Sequence, residues 1–104
     1  MEPKAVSILK LTGDPDELLE WKKEKMDPFM RPKAMKHGAI SQTVVKTDDG
    51  LMMINFWSTE EGRHEMGDEV MNDPEFLRIL QERGTERQMP TGYEVVQHLS
   101  AEPQ

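Results

Sequence analysis

The sequence predicts an α+β fold in which four strands and two helical regions follow one another in the order β-α-β-β-α-β. The clearest feature is a β-hairpin from Ala39 to Trp57, in which two β-branched or apolar runs flank Asp48-Asp49-Gly50. A helical pattern precedes the hairpin and another follows it, and an apolar strand lies near each end of the chain. This order is that of the ferredoxin-like fold, a four-stranded antiparallel sheet with both helices on one face.

The length and the composition restrict the class of protein. A chain of 104 residues holds one domain, with an expected core at about residues 5–99 and a tail at 100–104. The formal net charge of −7 disfavours nucleic acid and anionic membranes as partners. The chain has no cysteine, no signal-peptide pattern and no apolar run near the ~18 residues that span a membrane. We therefore expect a cytoplasmic protein without disulfide or thiolate chemistry.

The first strand and the first helix are predicted from alternation and capping. The segment from Ala5 to Leu11 is apolar on both faces, which predicts an interior strand. Asp14-Pro15 suits an N-cap followed by the first helical position, where a missing N–H costs nothing. A second pair of this kind, Asp27-Pro28, together with Arg31-Pro32, predicts that the helix breaks. We expect residues 28–37 to be irregular or only briefly helical. Whether residues 27–38 act as a lid stays open, and the two breaks are compatible with one.

The hairpin turn and the second half of the chain are predicted in the same way. Gly50 is expected to take a positive φ in the turn without steric cost. Ser58-Thr59-Glu60-Glu61 has the spacing of a capping box with Ser58 as the N-cap, and Asp73-Pro74 restarts a helix. A polar loop is expected from Thr85 to Gly92, and the last strand from Tyr93 to Leu99.

The predicted sheet has one face that no helix covers. Both faces of the hairpin's second strand lack charge, with Met52, Ile54 and Phe56 on one side. An apolar face must be covered by a partner, most simply a second copy related by a two-fold axis. The sequence therefore predicts a homodimer.

Three stretches of the chain resemble the dimeric α/β-barrel superfamily. They are His37-Gly38-Ala39-Ile40-Ser41, Asn55-Phe56-Trp57-Ser58-Thr59-Glu60-Glu61 and Asn72-Asp73-Pro74-Glu75-Phe76. This group includes the antibiotic-biosynthesis monooxygenases, the haem-degrading monooxygenases and polyketide cyclases of the same fold. The resemblance implies a dimeric α/β barrel with a pocket between sheet and helices, which several members use without metal or organic cofactor.

One departure from the family pattern concerns the second helical region. Many members carry a histidine there, at the position that is Met66 in this chain, nine residues after Trp57. His64 lies two residues earlier and roughly 200° around the helix, so that it faces elsewhere. This departure disfavours the haem-degrading branch.

Five residues are candidates for catalysis. Asn55 and Trp57 share a strand face, where Trp57 would form a pocket wall and Asn55 would hold a carbonyl or enolate oxygen. Tyr93 and His98, on opposite faces of the last strand, are candidates for proton transfer, and His64 is the other histidine that could shuttle a proton. Each has a structural alternative, as a packing residue, a partner of the backbone or a solvated side chain.

Four further residues are candidates for the substrate pocket. Ser7 would bind a ligand from the pocket floor, and His37 would lie at the mouth, unless it serves only to stabilise a helix C-terminus. Met53 and Met66 belong to a set of nine methionines, a side chain that lines adaptable cavities and also fills cores. The excess of methionine favours a hydrophobic ligand.

A row of charged side chains on the second helical region has a spacing that metal ligands can share. Glu60, His64 and Asp68 are spaced i, i+4, i+8, which a metal could use. Arg63 and Glu65 lie alongside, so a charged, solvent-facing surface is the simpler interpretation. Without a His-Glu-x-x-His pattern or cysteine, no metal site is predicted.

Two classes of function remain open from the sequence. The resemblance implies a small cofactor-independent enzyme, monooxygenase-like, that acts on an apolar aromatic or polyketide-like molecule. Alternatives are a polyketide cyclase or isomerase of the same fold, or a non-catalytic dimer that binds a ligand or assembles with another protein. The lack of a recognisable nucleophile–base pair favours the non-catalytic dimer.

Overall fold

A computed structural model describes residues 2–84 and 90–101 and has the predicted fold. The strands are β1 (Ala5–Thr12), β2 (Ala39–Thr47), β3 (Gly50–Trp57) and β4 (Thr91–Glu94). The helices are α1 (Pro15–Trp21), α2 (Asp27–Lys36), α3 (Glu60–Met71) and α4 (Pro74–Arg83), and a π-helical segment, Lys22–Met26, joins α1 to α2. The strand order is β2-β3-β1-β4 with antiparallel neighbours, so β1 is an interior strand as predicted.

The inner face of the sheet packs against the helices. Ala5 and Ser7 of β1 pair with Trp57 and Asn55 of β3, and this face carries the core. The larger apolar cluster contains Ala5, Met26, Trp57, Met66, Val70, Met71, Phe76, Ile79 and Leu80. A smaller cluster contains Leu11, Leu18, Leu51 and Met53.

The outer face of the sheet lies opposite the helices. Its central side chains are Val6, Ile8, Met52, Ile54 and Phe56, all half-buried. Tyr93, which pairs with Val6 on this face, is 55% exposed, and Val96 and Leu99, which follow β4, are 91% and 81% exposed. A sheet with helices on one side thus leaves an apolar surface on the other, as the sequence predicted.

The prediction of an irregular segment after Asp27-Pro28 is wrong. Residues Asp27–Lys36 form an α-helix that contains Pro32, and the chain turns away after it at Gly38, which has a φ of 87°. The N–H of Asp27 bonds to the carbonyl oxygen of Lys22, five residues earlier, as in a π-helix. Pro28 then falls in the first turn of α2, where its missing N–H is not needed. The π-helical segment therefore lets the helix pass through a sequence that looks like a break.

Two local predictions also need correction. Gly50 does not take a positive φ, and its lack of a side chain serves close packing, because a Cβ would lie 1.8 Å from the carbonyl oxygen of Leu11. Thr59, not Ser58, caps α3, since its Oγ1 accepts a hydrogen bond from the N–H of Gly62 at 2.9 Å. The other caps, at Asp14 and Asp73, are as predicted.

The last strand is shorter and begins earlier than expected. It spans Thr91–Glu94, so Thr91 and Gly92 belong to the sheet and residues 95–99, including His98, follow the strand. The remainder of the predicted loop, residues 85–89, lies outside the described residues. Across the part of the chain that is described, no helix has the length and the apolar character needed to cross a membrane.

Candidate functional site

A cavity of about 640 Å³ lies between the inner face of the sheet and helices α2 and α3. This is the size range of small-molecule sites. Its apolar lining includes Leu9, Met26, Met30, Ala34, Ala39, Trp57, Met66, Val70, Met71 and Phe76. Its polar lining includes Ser7, Asp27, Arg31, Gln42, Asn55, Arg63, His64 and Asp68. Helix α2, which makes up most of the residues 27–38 that were left open as a lid, forms one wall of this cavity.

Trp57 and Ser7 are joined in the cavity wall. The indole Nε1 of Trp57 donates a hydrogen bond to the Oγ of Ser7 at 3.1 Å, and both residues are at most 5% exposed. They sit on neighbouring interior strands, where Ser7 pairs with Asn55 and Ala5 with Trp57. The bond fixes the plane of the indole and satisfies a donor that would otherwise be buried alone.

Asn55 belongs to a polar network that runs from helix to sheet, here called the Lys22 network. The Nζ of Lys22 donates to Asp27 Oδ1 and to Gln42 Oε1, each at 2.7 Å. Gln42 Nε2 in turn donates to Asn55 Oδ1 at 2.8 Å. Asp27, Gln42 and Asn55 line the cavity, whereas Lys22 lies behind them and is only 4% exposed. The amide of Asn55 in the cavity wall is therefore linked to a buried ammonium group through Gln42, whose side chain is exposed.

The edge of the cavity carries charged side chains from α3. The Nη2 of Arg63 donates to Glu60 Oε2 at 2.7 Å, and the Arg63 side chain is only 15% exposed. Its guanidinium lies against β4, where a Cβ on Gly92 would come within 1.8 Å of Nη1. The expectation of a solvent-facing row thus fails for Arg63. His64 lies beside it with its side chain 68% exposed, at 3.1 Å from Arg63 Nη2.

Among the predicted pocket residues, Ser7 and Met66 line the cavity and the other two do not. Met53 packs into the smaller apolar cluster. His37 caps the C-terminus of α2 and lies between two carboxylates, 3.4 Å from Glu65 and 3.3 Å from Glu69. This is the structural role that the sequence analysis left open for His37.

The carboxyl group of Glu69 is the most perturbed acid near this helix end. The ammonium of Lys36 and the imidazole of His37 hydrogen-bond to it and lower its pKa from 4.5 to about 2. Lys33 adds a weaker attraction from 3.7 Å. These contacts tie α2 to α3 outside the cavity lining, so they serve the fold rather than a reaction.

The structure does not bring Tyr93 and His98 to the cavity. Tyr93 pairs with Val6, so it lies on the outer face, while Gly92 pairs with Ser7. His98 follows the end of β4, and its ring packs edgewise on Phe56 at 5.9 Å, again on the outer face. His98 does not reach the cavity because β4 ends at Glu94, so that His98 is not part of the strand.

The charged row on α3 does not gather into a metal site. Glu60 bonds to Arg63, His64 is exposed, and Asp68 lies on the cavity edge. Over residues 2–84 and 90–101, no three histidine, aspartate or glutamate side chains come close enough to hold a metal ion.

Sequence reasoning missed three residues of the site. Lys22 stands at helical spacing between the apolar Leu18 and Met26, and that position is a signal, because a lysine on a buried face needs a polar partner. Gln42 stands opposite Asn55 in the hairpin, and that pairing could have been read from a register fixed by the turn. Arg63 had no comparable signal, because its burial depends on the distant Gly92.

Comparisons with solved structures identify the fold. The chain is similar to a monooxygenase from the gene ActVA-Orf6 of Streptomyces coelicolor, whose structure contains the ligand nanaomycin D: 16% identity, a TM-score of 0.58, and coverage of 98% of this chain and 94% of that one. It is also similar to Rv0793 from Mycobacterium tuberculosis, with 14% identity, a TM-score of 0.53, and coverage of 97% and 100%. Neither a protein-family model nor a curated protein matches the sequence. These two likenesses therefore confirm the predicted ferredoxin-like α+β fold.

Proposed function

We propose that this protein is a small monooxygenase-like enzyme that binds a flat, apolar aromatic or polyketide-like molecule in the cavity and oxidises it with O₂. The observation that carries the proposal is the cavity itself, which is largely apolar and has Asn55 and Trp57 on its wall. A solved structure of the same fold is named as a monooxygenase with a bound small ligand, which supports the same class of activity here.

The reaction balances without an external reductant when the substrate is a phenol that becomes a quinone. One oxygen atom of O₂ becomes the new carbonyl group. The other leaves as water with the hydroxyl hydrogen and the ring hydrogen that the substrate loses. The four electrons withdrawn from the ring reduce both oxygen atoms, so the substrate is itself the reductant.

The described residues supply binding and polarisation to this reaction. The indole of Trp57, held by Ser7, offers a flat apolar wall for an aromatic ring. The Asn55 amide would hold the substrate oxygen as charge develops on it. His64, exposed at the cavity edge, would exchange the phenolic proton with solvent.

The test is oxygen uptake with a panel of hydroxylated naphthalenes and anthracenes. We expect one O₂ consumed per product and, with ¹⁸O₂, one labelled atom in the product. Asn55→Ala should lower kcat by about 10²-fold, as the loss of one oxyanion donor does in other enzymes. Asn72→Ala removes an asparagine that does not line the cavity and should leave turnover unchanged.

The outcomes separate the alternative functions. Product formation without oxygen uptake would identify a cyclase or isomerase instead. Tight binding without any turnover would identify a non-catalytic binding protein. This alternative is favoured because Ser7 and Gln42, which lie beside Asn55 in the cavity wall, are neither acids nor bases. Equal turnover in wild type and Asn55→Ala would contradict the assigned role of Asn55.

We also infer that the single domain works as a homodimer through its outer face. The apolar centre of that face and the exposed Val96 and Leu99 offer a surface for a second copy. Native mass spectrometry should give the dimer mass for the wild type and the monomer mass for Val96→Asp. Gln97→Asp adds the same charge one residue further along and should remain dimeric. A monomeric wild type would refute the inference.

A further inference from the structure

We propose that Lys22 fixes the polarity of the cavity, by forcing Asn55 to present its N–H donors to the ligand. The site therefore selects molecules with an acceptor oxygen, such as a carbonyl, a phenol or a phenolate, over molecules of the same shape that offer only an N–H donor. This inference rests on the proposed function, because it names the chemical class of ligand that the cavity takes.

The direction of each bond in the Lys22 network follows from its first member. A lysine ammonium has three donors and no acceptor, so the atom of Gln42 that faces Lys22 must be the carbonyl oxygen. The amide nitrogen of Gln42 is then the atom that faces Asn55, and it can only donate. Asn55 must therefore accept this hydrogen bond with its side-chain oxygen, Oδ1. Asparagine and glutamine orientations are set by their networks, and here a single charged group sets both.

The consequence for the cavity concerns the amide nitrogen of Asn55. Asn55 lines the cavity, and within the described residues no hydrogen bond leaves its Nδ2. With respect to the described residues, its two N–H donors are thus open to a bound molecule, next to an indole whose own N–H is bonded to Ser7. A ligand acceptor completes this arrangement, whereas a ligand donor would meet another donor.

The π-helical segment is what allows Lys22 to do this. Lys22 and Asp27 are five residues apart and would point about 140° away from each other on an α-helix. The π-helical bond between the Asp27 N–H and the Lys22 carbonyl oxygen brings the two side chains to 2.7 Å. Asp27 balances the charge of an ammonium group that is otherwise buried, so Lys22 can remain a donor at this depth.

The decisive variant is Gln42→Glu. A carboxylate at position 42 still accepts from Lys22 but cannot donate to Asn55, so the Asn55 amide must turn and present its oxygen to the cavity. The cavity would then favour ligand donors. Lys22→Met removes the ammonium group that orients the network. The side-chain amides of Gln42 and Asn55 should then be able to take either orientation.

The probes are fluorenone and carbazole, neutral tricyclic molecules of nearly the same shape. Fluorenone carries a carbonyl acceptor and carbazole an N–H donor, and binding is measured by fluorescence titration. Wild type should prefer fluorenone by about three- to tenfold, the range that one neutral hydrogen bond provides. Gln42→Glu should reverse the preference, and Lys22→Met should reduce it towards unity. Gln97→Glu adds a charge outside the cavity and should keep the wild-type ratio.

The outcomes distinguish this inference from the proposed function. A wild type that binds neither probe refutes an aromatic-binding cavity and with it the proposed function. If the wild type binds fluorenone, but neither Gln42→Glu nor Lys22→Met changes the ratio of fluorenone to carbazole affinity, the role of Lys22 is refuted and the proposed function is not. A wild-type preference for carbazole also refutes it. Circular dichroism establishes that each variant is folded. If only one of Gln42→Glu and Lys22→Met folds, that variant alone is sufficient for the test.

Discussion

The buried hydrogen bond between Trp57 and Ser7 leads to a quantitative prediction. Ser7→Ala removes the acceptor and leaves the indole N–H buried without a partner, since Trp57 is 5% exposed. Trp57→Phe removes the donor and leaves the hydroxyl of Ser7, which is 4% exposed, in the same state. The double variant removes both groups, so neither is left unsatisfied.

The expected magnitudes follow from the burial of the pair. Ser7→Ala should lower the free energy of unfolding by about 1–3 kcal/mol, the cost of a buried polar group without a partner. Trp57→Phe should cost more, because it also leaves a cavity beside the apolar cluster. The double variant should be more stable than the sum of the single effects predicts, by about 1 kcal/mol. In a domain of this size, 1 kcal/mol corresponds to a Tm change of about 4–8 °C.

Urea unfolding at 25 °C, followed by circular dichroism, measures these free energies. Ser41→Ala is the matched control, because Ser41 is exposed on β2, and its change should stay within about 0.5 kcal/mol. An interaction energy of zero within error would refute the reasoning. It would mean that the bond does not couple the two side chains in solution.

Two further predictions concern α3 and its contact with the end of α2. Gly62→Ala should destabilise the fold by about 1–3 kcal/mol, because the new Cβ would lie 2.0 Å from the carbonyl oxygen of His37. Gly67→Ala, in the same helix with no atom within 4 Å of the new Cβ, should stabilise it by about 0.5–1 kcal/mol, and similar urea midpoints for both variants would contradict this. The lowered pKa of Glu69 means that its carboxylate, bound by Lys36 and His37, stabilises the folded state above about pH 4.5, and that this contribution is lost as the pH falls towards 2. Glu69→Gln should therefore be less stable at neutral pH and lose less stability between pH 4.5 and 2, and parallel pH curves of Tm for the two proteins would exclude the effect.

The parts of the fold that the sequence predicted are those with local causes. The two β-branched or apolar runs around Asp48-Asp49-Gly50 specified the hairpin, and side-chain caps at Asp14 and Asp73 specified two helix starts. The errors arise where a distant or unusual feature overrides a local rule. Asp27-Pro28 has the local pattern of a break, but a π-helical turn ahead of it satisfies the backbone and the helix continues.

The site was predicted only in part, for a related reason. Asn55 and Trp57 were found because both lie on one strand, where parity decides which side chains face together. The partners of Asn55 come from β2 and from the π-helical segment, and their approach depends on tertiary packing. Tyr93 was assigned to catalysis from its residue type, and the register of β4 places it on the other side of the sheet.

The π-helical segment also determines where the chain can change in length. Each of its turns closes over five residues instead of four, so it contains one residue more than the α-helical turn that would take its place. Removal of one of the exposed residues Lys23, Glu24 or Lys25 would convert it to an α-helical turn, with α1 and α2 still facing the sheet as before. Lys22 and Asp27 would then stand at i and i+4, which are neighbours on an α-helix. Related chains one residue shorter at this point are thus compatible with the same cavity and the same Lys22 network.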